Sequence, residues 1–166
     1  MSLEKYRWDL IACERCNNCM WVHPWRVQNA RFAKNCPSAE KYLFAAYSCQ
    51  WRFDLARGLL DGEIDYSKKL LDVIYRCTLC GACDVTCKYY RDMEPIEILQ
   101  ELRNKCFEDG HGPLSAHKPI IDSVKNYNNV WMQPRSKRST WAKRISIKDA
   151  SKEKAKPLLC GMYLCV

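Results

Sequence analysis

Apolar residues recur every three to four positions between residues 38 and 60, and this spacing predicts an amphipathic helix. Ser38 is a suitable N-cap at its start. Gly58 or the Asp61-Gly62 pair would end it. The residues that follow the helical period are Tyr42, Leu43, Ala46, Tyr47, Gln50, Trp51 and Leu55.

Two further stretches follow the same helical period. Residues 66–76 form one, with Leu70, Leu71, Val73 and Ile74 as its apolar side. Residues 95–110 form the other, because Pro95 suits a first helical position and Gly110 a stop. A short helix is possible over 120–124, with a turn at 126–129. No stretch within residues 1–110 has a convincing strand pattern, so the sequence predicts an all-α scaffold.

The cysteines are concentrated in two runs. Residues 77–87 follow the spacing Cys-x2-Cys-x2-Cys-x3-Cys, by which bacterial ferredoxins hold cubane clusters. Residues 13–19 repeat the first part of this spacing, and Cys36 follows before a proline. In two-cluster ferredoxins the fourth cysteine of a run ligates the other cluster. The pattern therefore predicts two [4Fe-4S] clusters with crossed ligation. Site 1 comprises Cys13, Cys16, Cys19 and Cys87; site 2 comprises Cys77, Cys80, Cys83 and Cys36.

Aromatic and aliphatic residues flank the first run. We expect Tyr6, Trp8, Leu10 and Ile11 to pack over cluster 1. The aromatic residues of segment 20–35 would either shield a cluster from water or form a surface for a partner.

The charge of the chain is basic but unevenly distributed. The formal net charge is +8, and each cubane with its four thiolates would add about −2. Nine Lys or Arg residues lie between 134 and 156, against Asp149 and Glu153. This basic stretch has little aromatic interleaving and no nucleic-acid fold signature, so it indicates a solvated linker or a docking surface for an acidic partner.

The chain has twelve cysteines and no apolar signal-peptide core at its start. It also has no run of eighteen apolar residues, so we expect no transmembrane segment. These features predict a cytoplasmic protein. Because reducing compartments keep thiols free, the cysteines indicate metal ligation and not a disulfide framework.

The chain resembles a known family in both cysteine runs, in Cys36-Pro37, in segment 56–65 and in segment 75–83. The arrangement is similar to the two-cluster α-helical ferredoxin module of succinate dehydrogenase iron–sulfur subunits. It resembles still more the module of heterodisulfide reductase C-type and D-type proteins, over roughly residues 10–145. The chain differs from the family pattern in the long segment before Cys36 and in Lys88, where the family usually has proline.

The resemblance implies an electron-transfer subunit in an oxidoreductase complex of heterodisulfide reductase type. Its partners would be a flavoprotein, a catalytic subunit with CCG domains, or both, in an anaerobic setting. Residues 1–110 would form the α-helical dicluster ferredoxin domain and residues 111–156 an irregular basic extension. The apolar run at 157–166 would form a strand like the start of a CCG domain, so the chain could also be the leading part of a longer reductase.

The main alternative is a zinc-stabilised basic binding module, since paired Cys-x2-Cys units also hold zinc. A triplet of cysteines would leave one thiolate unused in each half of such a site.

No dinucleotide-binding, phosphate-binding or nucleophile–base motif is present, so we assign no catalytic residue. The remaining cysteines are expected to be structural: Cys49, Cys106, Cys160 and Cys165. The histidines are expected at the surface or in turns: His23, His111 and His117.

Overall fold

The computed structural model describes residues 2–22, 27–137 and 139–146, and these residues form an all-α protein. The chain divides into two compact units, Met1–Gly112 and Pro113–Val166. Apart from one isolated bridge between Trp21 and Lys34, the described residues contain no β-structure. The predicted strand at 157–166 lies outside them. No helix in the described ranges is long and apolar enough to cross a bilayer.

The first unit contains six α-helices among its described residues. They are α1 (Arg7–Ala12), α2 (Pro37–Tyr42), α3 (Cys49–Asp61), α4 (Lys68–Tyr75), α5 (Ala82–Arg91) and α6 (Pro95–Glu108), with 3-10 turns at Leu3–Tyr6 and Ala45–Tyr47. Helix α3 packs on α1 and α6, while α4 and α5 also pack on α6. Their apolar faces meet in one core, whose most buried members include Leu10, Phe53, Ile74, Ile98, Leu102 and Cys106.

The prediction of one helix from residue 38 to residue 60 is wrong, because this segment contains two helices. Leu43 has a left-handed backbone (φ 51°) and ends α2, and α3 begins only at Cys49. The N-cap of α2 is Cys36 and not Ser38, since the Cys36 thiol accepts a hydrogen bond from the Ala39 N–H at 3.4 Å. Cys36 thus lies at the start of α2, and the break places Cys49 at the start of α3.

The end of α3 follows one of the two predicted stop signals. The helix ends at Asp61, with Gly62 as a left-handed C-cap, and continues through Gly58. Gly58 favours close packing, because a Cβ there would lie 3.0 Å from Cδ1 of Ile64, whose side chain would have to shift. The chain can therefore fold back tightly against α3.

The other predicted helices are found, with boundaries shifted by a few residues. Ser67 caps α4 by accepting a hydrogen bond from the Leu70 N–H at 3.1 Å. Leu71, predicted to be buried in α4, is only partly buried. In the N-terminal segment, Tyr6 and Leu10 are buried, but Trp8 and Ile11 are exposed at the surface. The packing of these four residues over cluster 1 stays a prediction.

The second unit contains α7 (Lys118–Tyr127) and 3-10 turns at Ser115–His117, Arg135–Lys137 and Thr140–Arg144. A buried serine, Ser123, organises the turn after α7. Its hydroxyl donates to the carbonyl of Asn129 and accepts from the N–H of Met132, both at 2.8 Å. Much of the predicted basic run lies in residues 147–156, outside the described ranges.

Candidate cluster-binding sites

The two cysteine runs share an unusual backbone conformation. In both, the residue before the second cysteine has positive φ: 58° at Arg15 and 52° at Leu79. In both, the residue after the second cysteine also has positive φ: 62° at Asn17 and 77° at Gly81. Positive φ is uncommon for residues other than glycine and tends to be retained at ligand sites. Two loops distant in sequence therefore turn in the same way around their cysteines.

Such turns have a chemical consequence. Left-handed residues in a tight loop direct successive backbone N–H groups toward one side, and the resulting concavities bind anions, including iron–sulfur clusters. A cubane with four thiolates carries about −2, so it is an anion of the kind that such loops bind.

The loop of site 1 is fixed to helix α3 by side-chain contacts. Arg15 forms an ion pair with Asp54, with Nε at 3.0 Å from Oδ2. The backbone N–H of Asn17 donates to Oε1 of Gln50 at 3.1 Å, and Nε2 of Gln50 donates to Oδ1 of Asn17 at 2.6 Å. Both left-handed residues of this loop are therefore held in place by α3.

The loop of site 2 is fixed to helix α6. Arg103 donates to the carbonyls of Tyr75, at 3.1 Å, and of Cys77. At the other end of the loop, Asp84 accepts a hydrogen bond from the N–H of Ile96 at 2.8 Å. The two loops thus rest on different helices of the same core.

The predicted ligands of site 2 line one small cavity. Cys36, Cys77, Cys80 and Cys83 all line it, together with Cys19 and Cys49. The amide of Asn35 donates to the carbonyl of Ala82 at 3.0 Å, which ties the Cys36 segment to the start of α5. The cavity volume is about 20 Å³, little more than one water needs. Binding a four-iron cluster there requires the side chains to separate, and Cys80 is exposed at the edge of the fold.

The predicted fourth ligand of site 1, Cys87, lies near the first cysteine run. The pKa of its thiol is raised to about 12, first by burial and then by the nearby thiols of Cys19, Cys83, Cys13 and Cys16. Cys83 and Cys87 are one helical turn apart on α5, so both lie on the same side of that helix. One helix therefore offers a thiol to each predicted site, which supports crossed ligation. Helix α5 continues through Lys88, where a proline would interrupt it.

Cys49 is buried as predicted, but its position between the two sites could not be predicted. It is 3% exposed, and its thiol lies close to those of Cys19 and Cys83. These contacts raise the pKa of Cys49 well above its ordinary value, while the hydrogen bond from Cys49 lowers the pKa of Cys19 to about 7. Cys49 therefore lies between one predicted ligand of each cluster, and its single S–H proton can be donated to only one of them at a time.

Sequence reasoning also missed Arg52, which lines the cavity of site 2. It lies in the middle of α3 and is 1% exposed. Its guanidinium donates to the Val73 carbonyl at 2.9 Å, the Tyr47 carbonyl at 2.5 Å and Oγ of Ser38 at 3.0 Å. Nothing in the helical period distinguishes this arginine from an exposed one.

The four predicted cysteine ligands of site 2 and the buried Arg52 show whether this site suits a cluster. Four thiols with a buried positive charge beside them suit a negatively charged, thiolate-ligated group. No three His, Cys, Asp or Glu side chains in the described ranges converge closely enough to hold a single metal ion. The thiolates of a cubane bind four separate irons, so they do not converge on one point.

The remaining predicted residues are placed as follows. Cys106 is buried in the core on α6, as expected for a structural thiol. His111 stacks on the ring of Tyr66, with centroids 4.1 Å apart, and His117 belongs to the second unit. His23, Cys160 and Cys165 lie outside the described residues. In segment 20–35, Trp21 and Phe32 are exposed, and both predicted roles of this segment stay predictions.

Comparison with known proteins gives no relative for this chain: no protein-family model, curated protein or solved structure matches it. The resemblance to heterodisulfide reductase modules therefore rests on the cysteine spacing and the segments quoted above, and it stays a prediction.

Proposed function

We propose that this chain is an electron-transfer subunit that relays single electrons through two [4Fe-4S] clusters. The observation that supports this best is the shared backbone of the two cysteine runs, with positive φ on both sides of the second cysteine. A structural thiol needs no such loop, whereas loops of this kind bind anions such as iron–sulfur clusters.

In this proposal each cluster is held by three cysteines of one run and one from elsewhere. Site 1 uses Cys13, Cys16, Cys19 and Cys87, and site 2 uses Cys77, Cys80, Cys83 and Cys36. The clusters supply one-electron redox centres. The protein determines their potentials through burial, nearby charge and hydrogen bonds to sulfur.

The family resemblance extends the proposal to partners. The chain would connect a redox donor with a catalytic subunit in a cytoplasmic, hetero-oligomeric complex of heterodisulfide reductase type, under anaerobic conditions. A flavoprotein, a CCG-domain subunit or both would complete the complex. Catalysis would belong to those partners.

The test is the iron, acid-labile sulfide and zinc content of protein purified without oxygen. The proposal predicts about eight iron and eight sulfide per chain and no stoichiometric zinc. About four of each would mean that one site does not bind a cluster. Zinc without sulfide would refute the proposal in favour of a zinc-stabilised module.

A further inference from the structure

The guanidinium of Arg52 is the most completely buried charge near the predicted sites. Arg52 is 1% exposed, and each of its three hydrogen-bond acceptors is an uncharged oxygen. Among the described residues, no carboxylate forms an ion pair with it. Burying an uncompensated charge is costly, so a counter-charge is expected beside it.

The cavity beside Arg52 contains the groups that would carry this counter-charge. All four predicted ligands of site 2 line it together with Arg52: Cys36, Cys77, Cys80 and Cys83. Of the predicted ligands of site 1, Cys19 alone lines it. A cluster bound by these thiolates would supply the missing negative charge.

Other charges near site 2 are weaker or already engaged. Arg103 adds a half-buried positive charge near Cys77. Asp84 is the opposing charge, close to Cys83, but its carboxylate already accepts the N–H of Ile96 and forms no ion pair with Arg52. The balance around site 2 is therefore positive.

The surroundings of site 1 differ in this respect. The arginine in its loop, Arg15, is matched by the carboxylate of Asp54, and Arg91 is matched by Glu14. Asp9, a partly buried carboxylate in α1, has a pKa raised by burial and by Asp92. No buried cation without a carboxylate partner lies beside site 1 in the described ranges.

We propose that Arg52 makes the cluster of site 2 the higher-potential centre of the two. Reduction adds one negative charge to a cluster, and a buried positive charge beside it stabilises the reduced form more than the oxidised form. The electron of a singly reduced protein would then reside mainly at site 2, and transfer from site 1 to site 2 would be favoured. This inference rests on the proposed function.

The first test uses protein that retains Arg52. Serine variants of one exposed cysteine in each site, Cys16→Ser and Cys80→Ser, identify the electron paramagnetic resonance (EPR) signal of each cluster. In a redox titration of the unmodified protein, the signal altered by Cys80→Ser is expected to develop first. If the signal altered by Cys16→Ser develops first, the inference is overturned.

The second test changes the charge itself. Arg52→Gln is expected to shift the reduction equilibrium of cluster 2 at least tenfold toward the oxidised form, which is about 59 mV for one electron. Cluster 1 should shift less, and Arg52→Lys should keep most of the native potential. Arg57→Gln is the control, because Arg57 is half-buried on the same helix and does not line the cavity.

Equal shifts for Arg52→Gln and Arg57→Gln would overturn the inference while leaving two clusters in place. Failure of the proposed function is distinguishable, because it would show as missing iron and sulfide in the unmodified protein. If Arg52→Gln does not bind cluster 2, the order of reduction in the unmodified protein still decides the question.

Discussion

Arg15 and Leu79 have the same left-handed backbone, with φ of 58° and 52°, at matching places in two cysteine runs that lie 64 residues apart along the chain. Neither residue type prefers this conformation, which costs roughly 1–2 kcal/mol. The surrounding structure maintains it at Arg15 through Asp54, and at Leu79 through packing against the core. The repetition indicates that both loops are shaped for the same kind of ligand.

The loop conformation can be tested at Gly81. A Cβ at this position would meet nothing within 4 Å, so Gly81→Ala acts through its backbone alone (φ 77°). We expect it to lower the free energy of unfolding by about 1 kcal/mol and to reduce the iron bound at site 2. Gly62→Ala is the control, because it has a similar φ of 69°, equal space and a position at the end of α3. Equal iron loss in both variants would contradict the account.

Crossed ligation predicts a specific pairing of spectra. Cys87→Ser should alter cluster 1, because Cys87 lies near the thiols of Cys13, Cys16 and Cys19. The EPR spectrum of reduced Cys87→Ser protein should resemble that of Cys16→Ser. Cys83→Ser, one turn earlier on α5, should resemble Cys80→Ser instead. The reverse pairing would refute the assignment.

Cys49→Ala should affect both clusters without removing either. Its thiol lies beside those of Cys19 and Cys83 and can donate its single proton to either one, and hydrogen bonds to cluster sulfur raise the reduction potential. We therefore expect unchanged iron content and a lower potential for both clusters in a redox titration. Cys106→Ala removes an equally buried thiol on α6 that does not line the cavity of site 2, and it should leave both potentials unchanged. A shift in only one cluster would contradict the bridging position of Cys49.

Stability at alkaline pH should depend on Cys106. Burial raises the pKa of this thiol from 9.0 to about 11, so the fold favours its protonated form. The stabilisation is complete below pH 9 and is lost as the pH rises toward 11, because the unfolded chain ionises first. Denaturant unfolding at pH 8 and pH 10.5 should therefore show a decrease in stability that is smaller in Cys106→Ala. An identical decrease in both proteins would show that Cys106 does not contribute.

Much of the helical scaffold could be predicted because its signals are local. Helix α6 begins at Pro95, and its predicted core residues Ile98, Leu99, Leu102 and Cys106 are all buried. The break at Leu43 could not be predicted, because leucine gives no sign of a left-handed backbone. Helix α5 was also missed, since its residues were interpreted only as a cysteine motif.

The candidate ligands could be predicted from spacing, whereas their surroundings could not. Ligand spacing is a property of short segments, and both cysteine runs are short. The burial of Arg52 depends on acceptors from three separate segments, at Ser38, Tyr47 and Val73. The position of Cys49 depends on the same tertiary packing. No local sequence pattern predicts the burial of Arg52 or the position of Cys49.

The most direct test of the central claim is the EPR spectrum of the fully reduced protein, with its spins counted per chain. The account predicts about two spins per chain, in a signal broadened by interaction between two clusters that share helix α5 through Cys83 and Cys87. The spectrum should differ from the sum of the spectra that each cluster gives alone. About one spin per chain, or two signals that add without interaction, would contradict it.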